Sequence, residues 1–175
     1  MLFRSFAKAD YALDFQCCVP VLRETREIKL NAARHPLLAN LFRRQRKRVV
    51  PVSVELNATV RMLLISGPNT GGKTVALKTI GLLALMTHAG LPVPAAEAEF
   101  PLFDNILADI GDHQSIEASL SSFSAHVVAV KGMLDEATSE SLVLIDELGR
   151  ATDPDEGGAL GVVVDRKSTR LHSSH

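Results

Sequence analysis

The stretch LLISGPNTGGKTVALKTIG (residues 63–81) runs from apolar residues into a glycine-rich loop and then resumes as an apolar helical pattern. Within it, Gly67, Gly72, Lys73 and Thr74 fit G-x-x-x-x-G-K-[ST], with Pro68, Asn69, Thr70 and Gly71 filling the variable positions. The chemistry needs those types at that spacing. Glycines let successive backbone N–H groups turn inward, and a helix starting at the loop adds partial positive charge to the same cavity. Lys73 reaches the outer phosphate oxygens of a nucleoside triphosphate, and the Thr74 hydroxyl takes one position on a magnesium ion. An ordinary glycine-rich turn is the alternative, and it is disfavoured by the apolar strand expected before the loop and the helix expected after it.

Working outward, RMLLIS (61–66) reads as a buried strand and Val75–His88 as a helix apolar on nearly every side, ended by Gly90, Pro92 and Pro94. NILADIG (105–111) is a second strand, followed by a helix stepping through Ile116, Leu120, Phe123, Val127, Val130 and Leu134. SLVLID (141–146) is a third strand, and Gly157–Val164 opens a further helix. Upstream, a helix is expected over Phe3–Cys18, stopped by Pro20. IKLNAARHPLLANLF (28–42) is expected to form a short strand and then a loop, and VVPVSVEL (49–56) a strand kept near an edge by Pro51. Alternating strands and helices predict a largely parallel sheet with helices on both faces, an α/β P-loop NTPase architecture.

SLVLID supplies a second acidic element. Asp146, at the end of a buried strand, is placed to hold the magnesium ion through water, and Glu147 to orient and deprotonate a water attacking the outer phosphate. Lys73 and Glu147 are thus the candidate catalytic residues, Thr74 and Asp146 the candidate metal ligands, and a nucleoside triphosphate with Mg2+ the expected cofactors. A solvated surface turn is the competing reading of the acidic pair, and the glycine loop upstream outweighs it.

With 175 residues and 46% hydrophobic content, the chain can bury its own core. Its longest apolar run falls short of a membrane span, so no membrane partner and a cytoplasmic setting are expected. Neighbouring Cys17 and Cys18 suit neither a structural disulfide nor a CxxC metal site and are read as reduced and inert. Charge is uneven: residues 1–60 hold 11 Lys+Arg against 5 Asp+Glu, whereas residues 61–175 hold 8 against 15. Most of the basic excess is RRQRKR (43–48), where a solvated loop is the preferred reading and a nucleic-acid contact the sharper one.

Taken together, GPNTGGKTVALKTIGLLALM, DIGDHQSIEASLSSFSAHV and LVLIDELGRATDPDEGGAL resemble the ATPase domain of the MutS family. They are closer to its bacterial recombination-type branch, the second MutS type, than to the mismatch-repair branch. FAKADYAL and ARHPLL resemble the end of that branch's lever helix and the entry to its ATPase domain. The resemblance implies an ABC-like ATPase working as a homodimer through ATP-bound domains, each subunit completing the other's site. It implies DNA as the target, reached through parts of the parent protein, with the ribosome as an alternative target of the same branch. Ser121, in SLSSF, falls where the family has its signature loop and would contact ATP held by the partner. From the residues alone, helix capping is the preferred role of Ser121 and Ser122, and the register with the family reverses that preference. GRATDPDE (149–156) resembles the loop that communicates across the dimer, with Asp153 as its contact. Val49 stands where the mismatch-repair branch has an aromatic residue against adenine, which leaves base selectivity open. His35 is read as structural ahead of a place against the nucleotide.

The expected organisation is an entry segment over 1–30, a partial ATPase domain over 31–165, and a foreign or disordered tail over 166–175. DRKSTRLHSSH (165–175) lacks helical periodicity where the family continues its helix, adds a strand and presents a switch histidine, so truncation is expected there. A nucleotide-binding dimerisation module without turnover is the competing function.

Overall fold

A computed structural model of the chain describes residues 2–57, 59–68, 71–111 and 119–146, with side chains for all of these except 2–4 and 119–126. The chain divides into two compact units, Met1–Leu102 and Phe103–His175.

The first unit contains α1 (Leu2–Asp14), β1 (Val21–Arg23), β2 (Ile28–Ala33), α2 (Pro36–Arg44), β3 (Val52–Leu56), α3 (Lys73–His88) and β4 (Glu97–Pro101). Its four strands lie in the order β1-β4-β2-β3. Only β1 and β4 run parallel; β2 is antiparallel to both β3 and β4. Alternation along the strands sorts the side chains. Ile28 and Leu30 of β2, Val54 of β3, and Ala98 and Phe100 of β4 are buried. Leu30 is paired with Val54 on one side and Ala98 on the other. On the intervening residues, opposite charges meet across strands: Lys29 with Glu97 at 3.0 Å and Arg23 with Glu99 at 2.7 Å. A bulge in β2 lies between Leu30 and Ala33; inside it Ala32 takes φ 50° and donates its N–H to Ser53 Oγ at 3.0 Å.

Helix α3 buries Ala76, Thr79, Ile80, Leu83, Ala84 and Thr87, which complete the core with the sheet's apolar residues. The hydroxyls of Thr79 and Thr87 are satisfied within the helix by the Val75 and Leu83 carbonyls. Past its end, the Gly90 N–H donates to Thr87 O and the Leu91 N–H to Met86 O, with Gly90 at φ 65°. Two crossed bonds around a left-handed residue stop a helix in this way. The same pattern closes α1, with Gln16 at φ 49°, and α2, with Arg46 at φ 54°. Arg34 adds a guanidinium at the end of α1, donating to Phe15 O at 2.8 Å and Gln16 O at 3.1 Å.

The second unit contains β5 (Ile106–Asp109), α4 (Ser119–Glu136) and β6 (Leu142–Ile145). β5 and β6 form a two-stranded parallel sheet in the register Ile106↔Leu142 to Asp109↔Ile145. Val130, Ala137, Leu142 and Leu144 are buried. The start of this ladder is pinned by Asp104, which accepts hydrogen bonds from the Thr138 and Ser141 hydroxyls and from the Asn105 N–H. Those bonds, the one from Thr138 foremost, hold its carboxyl below the usual carboxylate range.

This architecture corrects the expected fold. A largely parallel P-loop NTPase sheet with helices on both faces is not formed: the described residues give a mixed four-stranded sheet, a separate parallel pair and four helices. The expected central strand, 61–66, takes no strand conformation. Beyond β3 the Asn57 carboxamide turns the chain by accepting the N–H groups of Thr59 and Val60, and Val60, Met62, Leu63 and Leu64 that follow are exposed. Apolar, β-prone residues make a strand only where a partner edge takes them. The loop expected after His35 is instead α2, because Pro36 stands at the first helical position, where its missing N–H costs nothing. The helix expected to run to Cys18 stops at Asp14, four residues before the cysteine.

Phe100 is fully buried in β4. Phe100→Ala is expected to destabilise the first unit by about 3–5 kcal/mol, read as a fall in the urea midpoint by far-UV circular dichroism. A midpoint close to that of the unmodified chain would place the core elsewhere.

Candidate functional site

The glycine-rich loop leads directly into α3, and its backbone explains its composition. Gly67 has φ 143° and Gly72 φ 79°, conformations that side chains with a Cβ rarely adopt. A Cβ built on either glycine meets nothing within 4 Å, so these positions border open space. Gly72 is the N-cap of α3 and gives it no side-chain cap. The first amides of α3 therefore face the loop without a capping hydroxyl or carboxylate from Gly72. The turn is closed by the Gly71 N–H donating to Pro68 O at 2.9 Å. Lys73 folds back over the loop and donates from Nζ to Gly67 O at 2.6 Å, its stem half-buried. Thr74, in the first turn of α3, is half-buried beside it. Asn69 and Thr70 lie outside the described residues.

Gly67, Pro68, Gly71, Gly72, Lys73 and Thr74 are thus gathered at one helix start in the first unit. Asp146 belongs to the second unit. It directly follows β6, is half-buried, and extends the ladder by donating its N–H to Asp109 O at 2.9 Å. This places Asp109, which the sequence reading passed over, beside it: two carboxylate-bearing residues end neighbouring parallel strands at the same edge. The signal was present in the sequence, since Asp109 ends the apolar run of its strand as Asp146 ends that of β6. Ser121 falls in the first turn of α4, with its side chain outside the described residues. Glu147, Asp153, the helix expected over 157–164 and the tail over 166–175 also lie outside them. Val49, where an aromatic residue was considered, is half-buried between α2 and β3.

The residues present suit a magnesium nucleotide in kind. Backbone amides at a glycine-shaped helix start, one ammonium and one hydroxyl form the donor set that phosphate oxygens and a hard cation require. No cluster of three or more His, Cys, Asp or Glu residues suited to a metal ion occurs among the described residues.

Outside the loop, the cysteines are free and half-buried, and burial pushes both thiols up, which disfavours the reactive thiolate. Tyr11 is half-buried with its hydroxyl oxygen buried, and that burial, with Cys17 beside it, pushes it up to about 12. His35 caps the start of α2 with its backbone; its Nδ1 is buried with no hydrogen-bond partner among the described residues.

With this geometry in view, residues 63–174 match MutS domain V, and the chain belongs to the MutS family. Within that family its likeness is to the MutS2 branch. It is 46% identical to the Endonuclease MutS2 of Acetivibrio thermocellus over 176 aligned positions, covering 97% of this chain and 21% of the relative. It is 48% identical to the Endonuclease MutS2 of Fusobacterium nucleatum, covering 90% and 20%. It is 49% identical to the Putative endonuclease MutS2 of Bacillus subtilis, covering 91% and 20%. The chain therefore spans about a fifth of the length of these relatives. The match is to domain V, a sharper designation than the ATPase domain inferred from motifs. No helix among the described residues is long and apolar enough to cross a membrane.

Burial, followed by the Lys78 ammonium, holds His35 below the ordinary imidazole value. The unfolded chain therefore takes up this proton first as pH falls. The stability that the neutral ring contributes is complete above about pH 6.5 and is lost as pH drops from there through the folded value. Urea midpoints at pH 7.5 and 5.5 should differ less in His35→Gln than in the unmodified chain; equal differences would remove His35 as the source.

Proposed function

We propose that this chain binds magnesium ATP through residues 67–74 and forms the nucleotide-responsive part of a MutS2-type DNA-acting protein concerned with recombination control. The observation that carries the reading is the loop itself. Two glycines hold positive φ over open space at a helix start that lacks a side-chain cap, and Lys73 lies across the same loop. In this reading phosphate oxygens take the amides at the start of α3, and the Lys73 ammonium leaves Gly67 O for the outer phosphates. The Thr74 hydroxyl is the candidate magnesium ligand of the first unit and Asp146 that of the second; the ion would supply charge neutralisation at the phosphates. Glu147 orients and deprotonates the water that attacks the outer phosphate, giving an ATPase. Ser121 of a second copy contacts the nucleotide, so that ATP favours a homodimer. DNA is engaged through other parts of the parent protein, with the ribosome as the alternative target of the same branch.

A nucleotide-binding dimerisation module without turnover is the second reading. Groups supplied across a subunit interface are worth about 10³–10⁵ in rate, so a copy that binds nucleotide without pairing would turn over slowly.

The test is equilibrium binding of a fluorescent ATP analogue with magnesium. Loss of the charge-assisted contact from Lys73, about 1.5–3 kcal/mol, predicts roughly 10- to 100-fold weaker binding by Lys73→Ala. Equal affinity of the two chains would overturn the phosphate-loop reading. Glu147→Gln is expected to retain binding and lose phosphate release, and turnover that survives the change would remove Glu147 as the base. Ser121→Ala is expected to weaken ATP-driven association more than nucleotide affinity.

A further inference from the structure

The run Arg43–Arg48 is not a plain solvated loop. Arg43 and Arg44 form the last turn of α2, and the chain then wraps back over that helix end. The Arg46 N–H donates to Arg43 O at 3.3 Å and the Lys47 N–H to Phe42 O at 2.9 Å. This turn gathers five cations of the run at one end of a nine-residue helix. Arg43 has a structural job: its guanidinium lies 3.4 Å from Asp14 and 5.6 Å above the Phe15 ring. Arg44, Arg46, Lys47 and Arg48 are exposed and form no ion pair among the described residues. A favourable interaction with the helix dipole accounts for cations in the last turn and fades beyond it. It therefore explains Arg43 and Arg44 and leaves Arg46, Lys47 and Arg48 unaccounted for.

Arg46 adds a second observation. It occupies the left-handed position of the turn, φ 54°, where helices ordinarily end on glycine. A side chain there is strained; at the matching places of the same unit α3 uses Gly90 and α1 the uncharged Gln16. The fold therefore keeps a cation where its own stability favours glycine.

We propose that the turn closing α2 is a contact for the phosphate backbone of a nucleic acid, with Arg44, Arg46, Lys47 and Arg48 as the binding groups. Three of the four are arginines, which hold phosphate oxygens in pairs. No acidic residue lies between Glu27 and Glu55, which leaves the run's charge uncompensated along that stretch. An anionic membrane is the other polyanion such a patch could meet. The geometry disfavours it: a membrane-surface helix sets its cations along the polar face above a broad apolar one. Here the free cations lie past the helix end, and the large exposed apolar residues of α2 are Leu37 and Leu41. This inference goes beyond nucleotide binding and does not depend on it.

The experiment is fluorescence anisotropy of a labelled duplex DNA of arbitrary sequence with the full chain, repeated over a range of salt concentrations. Each phosphate contact contributes about 0.9 to the slope of log affinity against log salt. The double variant Arg46→Gly, Arg48→Ala should therefore lower the slope by about 1.8 and bind more weakly at every salt concentration. Arg46→Gly alone should weaken binding while raising or preserving the urea midpoint, which separates lost contact from lost fold. An unchanged slope in the double variant overturns the proposal, and so does capture of the chain by phosphatidylserine vesicles with no DNA binding.

Discussion

The first unit hangs on the position of β2 between two antiparallel neighbours. Leu30 is the centre of that arrangement, since its cross-strand partners Val54 and Ala98 bring the buried faces of β3 and β4 into register with it. A one-residue slip of β2 would turn Ile28 and Leu30 to the charged face and Lys29 inward. The cross-strand pair Lys29–Glu97 adds little energy at the surface, but it disfavours that slip. β4, held on one side by β2, carries β1 on the other and supplies Phe100 to the core that α3 completes. The glycine-rich loop is positioned through this chain of contacts, because the loop is the entry to α3.

Periodicity made much of this legible. The apolar pattern over 75–88 gave α3 to within two residues at its start, and the alternation in VSVEL gave an edge strand that pairs only with β2 among the described strands. Strand direction was not legible. A run such as IKLNAA is equally good in a parallel or an antiparallel ladder, so alternation of predicted elements suggested a parallel sheet where a mixed one forms. RMLLIS fails for a related reason: its residues state that they fit a pleated surface, and only the fold states whether one is offered. Pro36, in the segment expected to be a loop, is a helix starter, because the N–H at that position has no partner to lose.

Helix ends divide the same way. Three helices of the first unit finish in the same left-handed turn, yet only α3 announces it with glycine. Gln16 and Arg46 take the strained conformation without any residue-type signal, and Arg34, distant in sequence, holds the end of α1. For the candidate site the legibility reverses. Glycine is the residue that takes φ 143° and 79° with least strain, so Gly67 and Gly72 could be placed from sequence with their conformational role intact. Asp109 was missed because its relation to Asp146 is a matter of strand pairing, and pairing is what a single sequence states least clearly.

The two anion contacts proposed for the first unit would work by opposite physical means. At the start of α3, attraction comes from fixed backbone amides and a helix dipole, which act over one turn and depend on shape. At the end of α2, it comes from mobile cationic side chains that act over a Debye length of about 8–10 Å and are screened by salt. A compact triphosphate rewards the first, because its oxygens fill a cradle built at fixed spacing. A long polyanion rewards the second, because it releases counterions with each charge it brings and needs no enclosed cavity. Ionic strength thus separates the two: affinity that falls steeply with salt belongs to the turn after α2, and affinity that depends on the loop glycines belongs to α3.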